Sequence, residues 1–251
     1  MRRAMLLENH VVLCAGASGS VGIVTLATLV REGASVAVLA RTQANAQRAI
    51  DEQIAPAQRS RLIALGADLL DADQAAAAVE AARAHFGRID ALINLAGHSR
   101  TGRLLASTPA DLRANLDGYV TTAYNLALPV LRVMLAQPFA PEALSRGHIV
   151  TVTAGSSLDP APGRGLFGAA KAGVNVLMKA IAREHKADGI VANALVLGGV
   201  STEQSRDRRG AEAWEAAARP QEVADVLAFL ASRRSSGING ALVDLNAREV
   251  D

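Results

Sequence analysis

Short apolar runs punctuate the chain at Val11 to Cys14, Val36 to Leu39, Leu62 to Leu65, Ala91 to Leu95, Ile149 to Thr153, Ile190 to Val196 and Ala241 to Val243, with long alanine-rich stretches between them. The runs are continuous rather than alternating, as strands need to be when helices cover both faces of a sheet. The stretches between them carry helix ends. Gly33 closes the first, Gly87 follows Ala72 to Phe86, Thr108-Pro109 opens Pro109 to Leu135, and Pro220 opens Gln221 to Ala231. A further helix is expected over Gly165 to His185. This rhythm predicts βαβ units, and so one α/β domain over residues 1–251: a doubly wound parallel sheet of about seven strands with helices on both faces.

Composition narrows the function classes. The chain has 251 residues, 50% hydrophobic and 20% charged, which suffices to bury a core, and no Pro/Ser-rich linker divides it. Its 26 Lys+Arg against 24 Asp+Glu leave a net charge of +2, so a nucleic-acid partner is not expected. Cys14 is the one cysteine, so no internal disulfide forms and no metal site is expected. Arg2 and Arg3 before Met5, Leu6 and Leu7 imitate a secretory start that Glu8, Asn9 and His10 break. No window approaches the roughly 20 apolar residues of a membrane helix. The expectation is a soluble, cytoplasmic protein with no membrane partner.

Ligands of a doubly wound sheet bind beyond the carboxyl ends of its strands. After the first strand the chain reads Ala15-Gly16-Ala17-Ser18-Gly19-Ser20-Val21-Gly22 and enters a helix. Glycines there allow a tight turn and a close approach of backbone N–H groups to a pyrophosphate, so Gly16, Ser18, Gly19 and Gly22 are candidate cofactor residues. A plain glycine-rich turn is the competing reading. The second strand ends at Leu39-Ala40-Arg41, where a site selecting NAD(H) carries a carboxylate. A guanidinium forks onto a 2′-phosphate instead, so NADP(H) is expected over NAD(H), unless Arg41 is a solvent-facing arginine. Beyond the third strand, Asp68 and its neighbour Leu69 are placed to meet the adenine.

With Asn94-Leu95-Ala96-Gly97 after the fourth strand, the chain resembles the short-chain dehydrogenase/reductase family along almost its whole length. Asn94, Ala96 and Gly97 match the family's Asn-Asn-Ala-Gly, and Asn115 matches its helix asparagine. Ala192-Asn193-Ala194…Leu197-Gly198…Thr202 corresponds to the family's late Val-Asn-Ala…Pro-Gly…Thr segment. The resemblance implies a Rossmann-like fold, a small-molecule substrate, further cofactor contacts from Lys171 and Thr202, and a homodimer or homotetramer. The family's usual Gly-xxx-Gly-x-Gly would put Ser20 in the second glycine position. The spacing of Gly16, Gly19 and Gly22 is that of the family's extended members, and the family's terminal Asp-Gly-Gly reads Asn246-Ala247-Arg248 here.

The larger departure is at the chemistry. The family pairs a Tyr-xxx-Lys motif on the helix after the fifth strand with a serine at that strand's end. Here the motif reads Phe167-Gly168-Ala169-Ala170-Lys171, and Ala154 stands at the serine position. Tyr119 and Tyr124, the two tyrosines, lie after Asn115, at the wrong point in the chain to substitute. Phe167, Lys171, Val174 and Met178 share one helical face, which points Lys171 into a cleft where it can hold nicotinamide ribose hydroxyls, or leaves it snorkelling from a buried face. His98 is the candidate proton source, because an imidazole exchanges protons near neutrality. Thr153, Ser156 and Ser157 flank Ala154 as hydrogen-bonding groups, while Arg100, Arg103 and Arg164 are candidates to attract an anionic substrate. Ser201 to Ala218, with Trp214, is expected to cover the substrate. Two functions stay open. One is an NADP(H)-dependent carbonyl reductase using Lys171, Asn115 and His98. The other is a catalytically silent or non-redox protein that binds NADP(H) as a sensor or partner subunit.

Overall fold

The seven strands are β1 (Val11–Ala15), β2 (Ser35–Ala40), β3 (Leu62–Gly66), β4 (Ala91–Asn94), β5 (Gly147–Ala154), β6 (Ile190–Leu197) and β7 (Leu242–Leu245). They form one parallel sheet in the order β3-β2-β1-β4-β5-β6-β7. The computed structural model describes residues 5–98, 100–139 and 143–246; Arg2, Arg3, Ala247 and Arg248 lie outside them. The flanking helices are α1 (Ser20–Arg31), α2 (Gln43–Gln53), α3 (Ala72–Phe86), α4 (Pro109–Leu116), α5 (Thr122–Ala136), α6 (Gly165–Glu184), α7 (Glu203–Arg209), α8 (Ala211–Ala216) and α9 (Pro220–Leu230).

The central strands are largely apolar because both of their sides are covered. Val12, Cys14, Val36 and Val38 turn to one side, where they pack with Leu26 and Leu29 of α1, Ile50 of α2 and Leu227 of α9. Their neighbours Leu13, Ala37 and Leu39 turn to the other side and meet Val79 of α3, Leu126 and Val130 of α5, and Met178 of α6. The chain winds outward from β1 in both directions, with β2 on one flank and β4 on the other. Strand order reverses at that point, so a crevice opens between the carboxyl ends of β1 and β4.

Two expectations need correction. The helix expected over Pro109 to Leu135 is interrupted: α4 ends at Leu116, a π-helical turn spans Asp117–Thr121, and α5 resumes at Thr122 with Pro129 inside it. Periodicity cannot register a turn that inserts one residue while leaving the apolar pattern on both sides intact. The second concerns membrane length, since α6, at 20 residues and mean hydropathy 1.2, is long and apolar enough by composition to cross a bilayer. Its apolarity is spent inside the protein, where Ala170, Val174, Met178 and Ile181 are buried in the packed clusters.

At the opposite edge of the sheet from the crevice, buried polar groups fix the strand starts. Asp90 accepts the Val11 N–H at 2.9 Å and is forked by Arg88, tying β4 to β1. His148, at the start of β5 and 2% exposed, faces the Leu230 carbonyl at 3.1 Å through Nδ1 and the Ser145 hydroxyl at 2.7 Å through Nε2. A carbonyl only accepts, so the proton sits on Nδ1 and Nε2 accepts from Ser145. Burial pushes the imidazole down to about 4 from its ordinary 6.5, and the Leu230 hydrogen bond opposes this in part. The unfolded chain therefore binds this proton more tightly than the folded one. The difference of about 2.5 units corresponds to about 3 kcal/mol, fully present above pH 6.5 and lost as pH falls to 4. Urea unfolding at pH 7.5 and 4.5 is expected to show that loss, and His148→Gln to remove about that much of the pH dependence; an unchanged pH dependence contradicts the assignment.

Candidate functional site

A cleft of about 300 Å³ occupies the crevice, and Gly16, Ser18, Gly19, Arg41, Asp68, Leu69, Ala96, Gly97 and His98 all line it. Nine positions singled out from the sequence therefore come together. Gly22, Asn94, Asn115, Lys171 and Thr202 do not line this cleft, and each works from behind it or beside it.

The three loop glycines have different duties. Gly16 has φ +81, and a Cβ there would stand 2.8 Å from the Ala96 backbone nitrogen. A Cβ at Gly22 would fall on the Gly16 carbonyl. Both glycines thus let backbones pack that any side chain would separate. Gly19 is different, because its Cβ would meet nothing closer than the Gly16 carbonyl at 3.6 Å and would project into the cleft. Gly19 also begins α1 without a side-chain cap, so the first N–H groups of the helix remain available to an anion.

The far end of the cleft suits an adenosine. Arg41 is exposed and pairs with no carboxylate among the described residues. Asp68 uses Oδ1 to accept the Leu70 N–H at 3.0 Å, which leaves Oδ2 for a ligand donor. On the near wall, the buried Asn94 accepts the Ala96 N–H at 3.0 Å and shapes the turn after β4. These residues fit a dinucleotide, with an uncapped helix end for the pyrophosphate and a guanidinium at the adenosine end.

Asn115 is fully buried, and its amide donates to the carbonyls of Arg100 at 3.0 Å and Asp111 at 2.9 Å. It holds the loop after β4, so it is a positioning residue. Thr202 accepts the Trp214 indole N–H at 3.0 Å through its carbonyl, and the Ser20 hydroxyl donates to Gln204 at 2.8 Å. The segment expected to cover the substrate therefore folds against the glycine loop. Arg100 is paired with Asp111 at 3.3 Å, Arg164 lies 5.6 Å from the Phe167 ring centroid, and Arg103 is exposed. Ser157 accepts from Asn175 at 2.8 Å, whereas the Thr153 hydroxyl is buried without a partner among the described residues.

Lys171 is buried, as its shared face with Val174 and Met178 predicts. Its Nζ donates to the Val152 carbonyl at 2.8 Å and sits 4.0 Å from the centroid of the Tyr119 ring. Burial pushes the amine down to about 7. The Tyr119 ring also meets Phe167 edge-on at 5.5 Å between centroids. Sequence order set Tyr119 aside, yet the fold brings it against Lys171. The available signal was Gly118-Tyr119, a glycine beside an aromatic one turn after Asn115.

Comparison with known proteins agrees with this geometry. A family model described as short chain dehydrogenase matches residues 10–213. The 3-oxoacyl-[acyl-carrier-protein] reductase FabG of Escherichia coli is 28% identical over 250 residues, covering 96% of this chain and 98% of the relative. The meso-2,3-butanediol dehydrogenase of Serratia marcescens is 32% identical over 254 residues, covering 96% and 95%. Among solved structures, a short chain oxidoreductase of Pseudomonas aeruginosa PAO1, described as containing an atypical catalytic center, superposes with a TM-score of 0.83 at 26% identity, covering 95% of this chain and 96% of that one.

The glycine roles separate by experiment. Gly19→Leu is expected to weaken nicotinamide-dinucleotide binding at least tenfold in calorimetry with little change in Tm, because its side chain enters the cleft and not the core. Gly22→Ala is expected to cost about 1–3 kcal/mol of stability by overpacking α1 against the turn. Equal Tm for the two variants would contradict this division.

Proposed function

The chain belongs to the short chain dehydrogenase family, and on that footing we propose that it reduces the carbonyl group of a small molecule with NADPH in preference to NADH. The observation that carries the proposal is buried Lys171. Lowering an amine from 10.5 to about 7 costs the folded protein about 4 kcal/mol at neutral pH, a cost that a methionine packed at the same place would not impose. A scaffold that binds no cofactor gains nothing from it.

The residues divide the work along the cleft. Gly19 and the first amides of α1 hold the pyrophosphate, Arg41 forks onto the 2′-phosphate, and Asp68 meets the adenine amino group. An ammonium has three donors, and Val152 takes one of those on Lys171, so the others can serve the ribose hydroxyls. When bound, the reduced nicotinamide supplies the hydride. Phe167 and Ala154 stand where the family carries its acid and its serine, so the site lacks both usual groups. His98, on the cleft wall, and water are the proton sources this reading supplies. The names of two relatives point to the same substrate chemistry, a 3-oxo group in one and a secondary alcohol in the other.

The working protein is proposed to be soluble and cytoplasmic, and a homodimer or homotetramer. Tyr124 on α5 and Val176 on α6 are 50% and 66% exposed, and they give the outer faces of these helices apolar surface for a second copy. Light scattering at micromolar concentration is expected to give the mass of two or four chains, and the mass of one contradicts it.

Calorimetry with both cofactors tests the preference. NADPH is expected to bind at least tenfold more tightly than NADH, with Arg41→Ala abolishing the difference. A ketone panel assayed with NADPH tests the activity. Binding without reduction of any ketone turns the reading to a silent or non-redox protein.

A further inference from the structure

Three unusual local features converge on one ring. The helix after β4 breaks into its π turn at Asp117–Thr121, and Tyr119 is the middle residue of that turn. Such turns are rare and are frequent at functional sites. The residue before it is Gly118, where a Cβ would stand 2.6 Å from the His98 carbonyl. Across the ring lies Gly97, at φ +147, whose Cβ would fall on the Tyr119 ring edge. Gly97 and the π turn thus make room for an aromatic side chain directly behind the cleft wall, while Gly118 lets the turn after β4 close against the helix. A leucine would fill an ordinary helix core with none of these accommodations, since glycine alone costs a helix about 1 kcal/mol.

What the ring reaches is the chemistry. Lys171 lies 4.0 Å from its centroid, and Phe167, one helical turn before Lys171, packs on it edge-on. Lys171 from α6 lies over the ring face, His98 stands against Gly118 in the turn after β4, and Arg164 lies over Phe167. We propose that Tyr119 is the proton donor of this site, its phenol delivered from the helix after β4 to the lysine that the helix after β5 still presents. The proposal rests on the carbonyl-reductase reading above. In the reaction the carbonyl carbon accepts the hydride pair of the reduced nicotinamide, forming a C–H bond as the nicotinamide C–H bond breaks. The C=O π pair moves to oxygen, which takes the phenol proton to give the alcohol. The phenolate is stabilised by the charge of the neighbouring ammonium and regains its proton from water.

The test combines kinetics with a titration that needs no turnover. Tyr119→Phe is expected to lower kcat for ketone reduction about 10²-fold or more, with NADPH affinity within twofold of wild type. Adding Phe167→Tyr to Tyr119→Phe is expected to recover at least tenfold, because a hydroxyl returns on the adjoining ring. In a Tyr124→Phe background tyrosinate absorbance reports Tyr119 alone, and its midpoint is expected to fall by about one unit or more on Lys171→Arg, whose guanidinium stays charged through the whole titration. Undiminished kcat in Tyr119→Phe, or a phenol titration indifferent to Lys171, overturns the donor assignment while leaving the reductase reading intact. A wild type that binds NADPH but reduces no carbonyl overturns the reductase reading, and the donor role falls with it.

Discussion

The close approach of three backbone segments at the carboxyl ends of β1 and β4 is the constraint on which the rest of the site depends. The Gly16 carbonyl lies against Gly22 of α1, and the Gly16 α-carbon lies against the peptide joining Leu95 to Ala96. With no Cβ between them, α1 is drawn onto the end of β1 and its uncapped first turn is aimed into the crevice. The same contact fixes the turn after β4 as the facing wall, and the Asn94 amide holds that turn from beneath. Cleft width and helix direction follow from the same packing, so a substitution at Gly16 or Gly22 cannot alter one without the other.

Behind that wall the protein holds a charge in an apolar place. The Val152 carbonyl and the Tyr119 ring face are the partners of Lys171 among the described residues, and together they offset its desolvation in part. The amine remains depressed to about 7, so near neutrality it exists in both protonation states. A group in that condition passes protons readily, and it also responds strongly to any negative charge that forms beside it. The site is therefore tuned by burial and by an aromatic face, where a solvated lysine would need an explicit carboxylate.

The fold and the cleft lined by Gly16, Gly19, Arg41 and Asp68 were legible because they are written locally. Strand runs, the glycine turn and Arg41 each sit at a strand end, and in a parallel sheet all strand ends lie on one side. The buried face of Lys171 was legible too, as a helical repeat with Val174 and Met178. Two things were not. The contact between Tyr119 and Lys171 joins residues on different helices, and it depends on a π turn that leaves no mark in apolar periodicity. The role of Asn115 was legible as a position but not as a contact, since its partners are backbone carbonyls that any sequence would supply. His148 was passed over for the same reason, its environment being assembled from Ser145 and the end of α9.

A proton donor is defined by where its O–H bond lies relative to the reacting oxygen, and position in the chain enters only through the fold. In this sheet α5 and α6 flank β4 and β5, and both begin near the cleft, so either helix can present a side chain to the same volume. Lys171 stays on α6 and meets the Tyr119 ring, on the turn before α5, through its face. A cation over a ring face stabilises the neutral ring through its quadrupole as well as the phenolate through its charge. The balance between those two terms is set by the distance from Nζ to the ring, which lies edge-against Gly97, where any Cβ would displace it.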